Sequence, residues 1–246
     1  MPSPRRRSPA PAPDTRASLL DAAERLFAAN GIQAVSLRTI NAAAGARNAS
    51  AAHYHFGSKT NLIRALLESF MDELCRERLA RLDAVRDAAG ARRPDLRDVV
   101  EAFVVPMLRL LVDPTGKGVR YSMFLARAAT DPTVQLESLV PATFYDALSR
   151  FHALCCAALP DLAPEVIMRR LTFGFDLTIA TVVALDRQAG GRDTYSVAEI
   201  AAYGAQLVDY IVAGTAAASA ARERLEAALA PPSLAAARLQ RATKRR

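Results

Sequence analysis

The chain has 246 residues, of which 51% are hydrophobic and 23% charged, and its formal net charge is +7. Such a length is sufficient for one large or two small domains with a buried core, and the composition is that of a globular protein. The longest run without a charged residue, 210–221, is shorter than the about 18 apolar residues that a spanning helix needs. The sequence therefore predicts no transmembrane segment and no membrane partner.

The first thirteen residues are rich in proline and arginine. Three consecutive arginines stand at 5–7, and no apolar stretch follows them. This composition predicts a disordered basic arm over 1–13 and indicates neither a secretory signal nor a twin-arginine leader. The three cysteines follow no disulfide framework, so we expect a reduced, cytoplasmic protein.

Four helices are predicted before the first interruption by proline at position 94. They are bracketed by capping residues and glycines: from Asp14 to Asn30, from Ser36 to Gly45, from about Arg47 to Tyr54, and from Ser58 to Gly90. In the first helix, the apolar residues follow helical spacing, and Glu24 is expected to face outward with Asp21 and Arg25.

Prolines return after Gly90, and further helices are predicted between them, near 95–111, 117–130, 132–158, 164–189 and 197–229. Pro106 is expected to kink or split the first of these. No strand signal is visible, so the predicted fold class is all-α. The last segment, 231–246, is a basic tail predicted to be disordered.

The segment from Arg25 to Leu67 contains no Asp or Glu but keeps several basic residues. A folded segment with bases and no acids is typical of a surface that faces phosphates. Within it, two short helices flank the turn Ala44-Gly45-Ala46, which is the arrangement of a helix-turn-helix unit.

Polar side chains near the second of these short helices are candidates for DNA contact. Arg47, Asn48, Ser50 and His53 are able to hydrogen-bond base edges in the major groove. Tyr54, His55 and Lys59 lie at the end of this helix and at the start of the next, where free backbone N–H groups favour a phosphate. His53 and His55 lie on different helix faces and are not expected to chelate a metal. We predict no metal site and no cofactor.

The stretch 19–67 resembles the DNA-binding domain of the tetracycline-repressor (TetR) family of bacterial regulators. The matching pieces are AAERLFAANG, Ser36 with 38–40, Ala44-Gly45, and the run YHFGSK at 54–59. Two departures stand out. The span from Gly45 to Phe56 is one residue longer than the commonest family pattern, and Asn41 replaces a residue that is usually small.

The resemblance implies a homodimer that binds a double-stranded DNA operator and releases it when a small-molecule effector binds. It implies a DNA-binding domain over 14–60 and a helical effector-binding and dimerisation domain over 61–230. It also places Arg38 and Thr39 at the DNA backbone or an adjacent base, Tyr54 and Lys59 at phosphates, and 47–53 on the recognition helix.

The middle helices of the C-terminal domain surround the effector cavity in this family. The candidate ligand residues there are Tyr121, Phe124, His152, Phe173 and Asp176. Because a buried unpaired carboxylate is costly, Asp176 is expected to pair with Arg169, Arg170 or Arg187, to face solvent, or to bind a polar ligand group.

The segments 164–189 and 197–217 carry wide apolar stripes with many small residues, which favours a dimer-forming helix pair. Internal packing of the same residues is the alternative. The candidate interface residues are Gly174, Leu177, Ala180, Ala184, Ala201, Gly204, Val208 and Ile211.

The sequence therefore predicts a ligand-responsive transcriptional regulator, and a repressor in particular. One alternative is a DNA-binding regulator without a small-molecule effector, controlled by a protein partner or acting as an activator; a C-terminal core without a cavity would favour it. The other is an all-helical enzyme that uses His152 and Cys156, which stand four residues apart on one helix face.

Overall fold

A computed structural model describes residues 15–46, 48, 50–190, 192, 194–218 and 229. Three predicted features lie outside these residues: the arm over 1–13, the tail over 231–246, and the DNA contact of Arg47. The chain divides into two compact units, residues 1–215 and 216–246, and the account that follows concerns the described residues of the first.

The described residues form helices and contain no strand, which confirms the predicted fold class. The helices are α1 (Thr15–Asn30), α2 (Leu37–Ala43), α3 (Ala51–Phe56), α4 (Lys59–Ala89), α5 (Leu96–Leu110), α6 (Lys117–Thr130), α7 (Ala142–Ala158), α8 (Pro164–Ala189) and α9 (Val197–Ala216). A short 3-10 turn, Leu136–Ser138, lies between α6 and α7.

The predicted capping residues of the first four helices are confirmed where the structure describes them. Ser36 Oγ accepts the amide of Thr39 at 3.1 Å, and Ser58 Oγ accepts the amide of Asn61 at the same distance. Gly31 ends α1 with a φ of 80°, a left-handed conformation that a side chain would strain.

Three predicted helix boundaries are wrong. α3 begins at Ala51 rather than near Arg47. α7 begins at Ala142 rather than at 132, because Pro141 disfavours a helical conformation at the residue before it. The helix predicted over 197–229 ends at Ala216. Residues 217 and 218 are not helical, and positions 219–228 of this prediction lie outside the described residues.

Pro106 was expected to kink or split its helix, yet α5 runs from Leu96 to Leu110 without a break. Pro106 has no amide to bond to the carbonyl of Ala102. On the neighbouring turn, Arg78 Nε from α4 donates to the carbonyl of Phe103 at 2.8 Å. Pro106 is buried with much of α5, and this packing offsets the missing hydrogen bond.

The helices bury two hydrophobic clusters. The first joins α1–α3 to the beginning of α4 and to α6, and it contains Leu19, Phe27, Ile40, Leu62 and Phe124, all inaccessible to solvent. The second lies among the end of α4, α5, α7, α8 and α9. Since each fully buried large apolar side chain contributes about 1.5–3 kcal/mol, these clusters fix the helix-turn-helix unit on α6.

Candidate DNA-binding surface and ligand cavity

The orientation of α3 relative to α2 depends on one buried polar side chain. Asn41 in α2 is 5% exposed, and its Oδ1 accepts the amide of Ala52 in α3 at 2.8 Å. The carbonyl of Asn41 also accepts the amide of Ala46 at 3.1 Å, across the turn at Gly45, where φ is 64°. Asn41 therefore joins both short helices and the turn between them.

The segment from Gly45 to Phe56 is one residue longer than the common family pattern, and the additional residue falls in the turn before α3. Asn48 Oδ1 accepts the amide of Ser50 at 2.9 Å, and the carbonyl of Asn48 accepts the amide of Ala51 at 3.1 Å. Asn48 and Ser50 are exposed, but both precede the helix that they were expected to occupy. Their contact with bases stays a prediction, as does that of Arg47.

The exposed side chains of α2 and α3 form one candidate surface. His53, Tyr54 and His55 are exposed, and Tyr54 reaches 84%. The rings of Tyr54 and His55 contact each other edge to face at 5.3 Å. Arg38 and Thr39 are exposed on α2. These side chains are accessible to a nucleic acid, and no carboxylate stands among them in the sequence.

Lys59 lies differently from the other candidate phosphate contacts. It is half-buried at the start of α4, with its Nζ 5.8 Å from the centre of the Phe27 ring. Burial lowers its pKa, and the nearby Asp131 carboxylate opposes that shift. The same carboxylate accepts a hydrogen bond from Gln33 Nε2 at 3.2 Å. Lys59 is thus adjacent to an acid that only the tertiary structure brings near.

The corner between α3 and α4 is held by local contacts. Asn61 Nδ2 donates to the carbonyl of Phe56 at 3.0 Å, and the guanidinium of Arg16 lies 5.4 Å from the centre of the Phe56 ring. Gly57 between the helices has a φ of 73°. These contacts fix the exposed end of α3.

Glu24 was expected to face outward, but it is 4% exposed and lies against α6. Arg120 Nε of α6 binds its carboxylate at 3.3 Å, and the Phe27 and Phe124 rings stack nearby at 6.0 Å. Burial raises the pKa of Glu24, and Arg120 partly offsets this. The contact links the DNA-binding unit to α6. The one hint of it in the sequence is that Glu24 directly follows Ala23, a residue of the apolar face of the first helix.

A largely apolar cavity of about 170 Å³ lies among α4, α5, α7 and α8. Its lining includes Leu74, Phe103, Leu171, Phe175 and, from α4, the buried Arg78. Arg78 was not among the residues predicted from the sequence. Its position four residues from both Leu74 and Leu82, on the apolar face of α4, was the available signal.

None of the five predicted ligand residues is among those that line this cavity. Tyr121 and Phe124 are fully buried beside it, and the Tyr121 ring stacks on Phe70 at 4.2 Å. Phe173 and Asp176 are exposed on α8, so Asp176 takes the solvent-facing alternative. Within the described residues, the Tyr121 hydroxyl has no hydrogen-bond partner.

His152 and Cys156 are close together, but their geometry does not activate the thiol. His152 Nε2 lies 2.9 Å from the carbonyl of Pro164 and 3.4 Å from Cys156 Sγ. A carbonyl only accepts, so Nε2 carries the proton and is not a base toward the sulfur. Burial also raises the pKa of Cys156, which disfavours the thiolate.

The predicted dimer residues divide between two environments. Gly204, Val208 and Ile211 are buried inside the chain, and a Cβ on Gly204 would come within 2.7 Å of the Leu108 side chain. Ala180 and Ala201 are exposed. The others, half-buried on α8, are Gly174, Leu177 and Ala184.

Large apolar side chains are exposed on the same outer face of α8 and α9. Phe173 is 61% exposed and Tyr210 is 69% exposed, and both line a groove with Leu177 and Ala180. In the part of the chain that the structure describes, no helix is both long and apolar enough to span a membrane.

The helix-turn-helix unit has a buried core and an exposed face without acidic residues, and it packs on a larger helical body. This arrangement defines a class of DNA-binding transcriptional regulators. Residues 19–66 match the family model of bacterial regulatory proteins of the tetR family, and residues 101–214 match that of tetracyclin repressor-like C-terminal domains. The chain belongs to the tetR family.

Relatives and solved structures agree with this family. The chain is 41% identical over 73 residues to the HTH-type transcriptional repressor KstR2 of Rhodococcus jostii (strain RHA1), covering 27% of this chain and 35% of that protein. The match therefore spans about a third of that relative's length.

The fold is similar to that of NalD, the secondary repressor of the MexAB-OprM multidrug efflux pump in Pseudomonas aeruginosa. That comparison has 20% identity, a TM-score of 0.55, and covers 81% of this chain and 94% of NalD. A regulator of the same family from Rhodococcus sp. gives 14% identity and a TM-score of 0.53, over 80% of this chain and 98% of that one.

Proposed function

We propose that this protein is a repressor that binds a double-stranded DNA operator in the cytoplasm and releases it when a small molecule binds. The observation that carries the proposal is the exposed face of α2 and α3, which is rich in hydrogen-bonding groups and free of acids. The likeness over 73 residues to a transcriptional repressor supports the sign of regulation.

In this proposal, residues 14–60 are the DNA-binding domain and residues 61–230 bind the effector and form the dimer. His53, Asn48 and Ser50 contact base edges, because these exposed side chains lie in the N-terminal half of α3 or just before it. Arg47, which lies outside the described residues, is proposed to join them on the sequence alone. Arg38, Thr39, Tyr54 and His55 contact phosphates or adjacent bases. Lys59 contributes once the DNA phosphate competes with Asp131 for its ammonium.

Homodimerisation through α8 and α9 is the second part of the proposal. Phe173, Leu177, Ala180 and Tyr210 are apolar or aromatic and stand together on one outer face. A contiguous exposed apolar patch favours a protein interface, and a two-fold pairing would bury the same face on both subunits. The two DNA-binding domains of the dimer would then bind two half-sites whose separation is about one helical turn of DNA, or a multiple of it.

The cavity supports control by a small molecule over the alternative of a regulator without an effector. That alternative is favoured by a filled C-terminal core, whereas this core holds a cavity of about 170 Å³. An effector that changes the separation of the heads needs a coupling of about 1–3 kcal/mol to change operator affinity 5- to 150-fold.

The test is DNA binding by the purified full chain, measured against fragments of its source genome at several salt concentrations. We expect tight, site-selective binding. His53→Ala should reduce the preference for the selected site over other sequences. Arg38→Ala should weaken binding to all sequences alike, and the slope of log affinity against log salt concentration should fall by about one. Arg93→Ala, which removes an exposed arginine outside the acid-free segment, is the matched control.

A protein lacking residues 1–13 and 231–246 separates the proposed surface from the basic ends. Selective binding by this shortened protein supports the proposal. Failure of the shortened protein to bind any genomic fragment, with normal helical content, would contradict the assignment as a DNA-binding repressor.

A further inference from the structure

Arg78 stands out in the cavity because its other described lining residues are uncharged. It is 3% exposed, while the lining is otherwise apolar except for Thr172 and Thr178. The hydroxyls of these threonines already bond within their own helix, to the carbonyl of Met168 at 3.1 Å and to that of Gly174 at 2.8 Å. Arg78 is therefore the group able to bind a polar ligand atom here.

The hydrogen-bond partners that the described residues give the guanidinium of Arg78 carry no ionised group, and one of them is the side chain of Cys75. Nε donates to the carbonyl of Phe103 at 2.8 Å, and the group lies 4.0 Å from the centre of the Phe103 ring. None of the ion pairs among the described residues includes Arg78. The neighbouring Glu77 instead binds Arg81 and Arg109 at 2.9 and 2.6 Å.

An unpaired charge in such a place is costly, because a cation loses its hydration on burial. Burial lowers the pKa of Arg78, yet a guanidinium stays charged in proteins. A fork of N–H donors in an apolar, water-poor cavity matches the two oxygens of a carboxylate, which bind arginine in a bidentate manner. An anion of that geometry would supply the opposite charge that the described residues do not place beside Arg78.

The volume of the cavity limits the size of the apolar part of such a ligand. Its volume of about 170 Å³ is close to the ~150 Å³ of an apolar engineered cavity that holds benzene. One aromatic ring or a short alkyl chain therefore enters without movement of the helices, and a larger body requires them to separate.

We propose that this cavity binds a compact apolar carboxylic acid, with the carboxylate on Arg78 and the apolar body between Leu74, Phe103 and Phe175. This inference rests on the proposed function, since the acid would be the effector. A helix-supporting role alone is the competing account of Arg78, because its Nε already stabilises α5 beside Pro106. That role predicts no preference for acids over neutral analogues.

The experiment measures binding to the DNA-free full chain by calorimetry and by ligand-observed NMR. The probes are benzoate and hexanoate, each beside a neutral analogue of the same shape, benzamide and hexanamide. We expect each acid to bind at least tenfold more tightly than its amide. Equal binding of acid and amide, or no binding of either acid, would overturn the proposal.

Three variants assign the preference to Arg78. Arg78→Met should remove the preference for acids, whereas Arg78→Lys should retain part of it. Arg76→Met, which removes an exposed arginine two residues away on α4, is the matched control and should bind as the wild type does. Retention of the full preference by a folded Arg78→Met protein would contradict the assignment.

Leu74→Phe tests the cavity without removing its charge, and it keeps the proposal falsifiable if Arg78→Met does not fold. The larger ring should reduce binding of benzoate at least tenfold, while circular dichroism confirms the helical content. Unchanged binding by Leu74→Phe would place the acid elsewhere. Operator binding is measured separately with and without benzoate, so a failure of repression is distinguished from a failure of this site.

Discussion

Asn41 is the residue whose role the sequence left unexplained. Its position is usually occupied by a small residue in the family that the sequence resembles, and the following turn is one residue longer than usual. In the structure its side-chain oxygen accepts the amide of Ala52 at 2.8 Å in a buried position. The unusual residue Asn41 and the longer turn are therefore connected, because the side chain of Asn41 bonds to α3, the helix that follows this turn.

Asn41→Ala should therefore lower the free energy of unfolding by about 1–3 kcal/mol, because the buried amide of Ala52 loses its acceptor. Urea unfolding followed by circular dichroism measures this. Asn30→Ala is the control, since Asn30 is exposed and its side chain bonds only to the carbonyl of Leu26; its effect should stay within about 0.5 kcal/mol. Equal effects of the two changes would contradict the role of Asn41.

Glu24 makes stability depend on pH. Its pKa in the folded state is raised above the ordinary value of 4.5 by burial. The folded chain therefore holds this proton more tightly than the unfolded chain does. Ionisation costs stability as the pH rises from 4.5 through the folded-state pKa, and the cost persists above that.

Glu24→Gln removes this titration. The unfolding free energy of the wild type minus that of Glu24→Gln should fall as the pH rises above 4.5, measured by urea unfolding at several pH values. In an Arg120→Met background the fall should be larger, because Arg120 lowers the pKa of Glu24. A difference that rises with pH would show that Arg120 outweighs burial.

At the scale of elements, α6 contacts both the DNA-binding unit and the cavity, as α4 also does. Arg120 and Phe124 contact Glu24 and Phe27 of α1, and Leu125 lines the cavity. A ligand that displaces α6 would therefore change the contacts of the DNA-binding unit directly. This gives the proposed effector a physical route to the operator surface.

The packing of α6 on α5 requires a glycine. A Cβ on Gly118 would lie 1.9 Å from the carbonyl oxygen of Leu110, a backbone atom. Gly204 of α9 is also close to α5, but its Cβ would meet only the end of the flexible Leu108 side chain at 2.7 Å.

Gly118→Ala should therefore lower the free energy of unfolding by more than about 2 kcal/mol, despite the gain of ~1 kcal/mol in helix propensity. Gly204→Ala, the matched control against the same helix, should cost less because Leu108 is able to rotate. Thermal and urea unfolding of both variants measure the difference. A Gly204→Ala protein less stable than Gly118→Ala would contradict this description of the α5–α6 contact.

At the scale of the whole molecule, the outer face of α8 and α9 exposes large aromatic side chains, with Arg170 and Asp176 lining the same groove. Phe173 and Tyr210 are both more than half exposed there. Each would bury a large aromatic surface in a two-fold dimer, and such residues dominate the energetics of interfaces.

Tyr210→Glu should convert the dimer to a monomer, because it would place two like charges in a desolvated interface. Sedimentation equilibrium measures the association, and the operator affinity should fall with it. Val197→Glu is the control, since it adds a charge at an exposed position of the same helix, about 20 Å away by helical rise. A dimer unaffected by Tyr210→Glu would contradict the proposed interface.

The sequence by itself determined the local features of this protein. Capping serines at 36 and 58, glycines at 31 and 57, and the helical spacing of apolar residues define α1, α2 and α4 within a residue or two. They act through neighbouring backbone groups, so no distant contact is needed to predict them. The ordered motif at 19–67 also indicated the family.

Only the tertiary structure decided what depends on residues far apart in the chain. The hydrogen bond of Arg78 to α5 joins residues far apart in the chain, and the burial of Glu24 depends on α6. Tyr121 and Phe124 were expected to contact a ligand, but they are buried outside the lining of the cavity, whose one charged lining residue is Arg78. Burial and charge pairing are set by which helices meet, and the periodicity of a single helix carries no record of its partner.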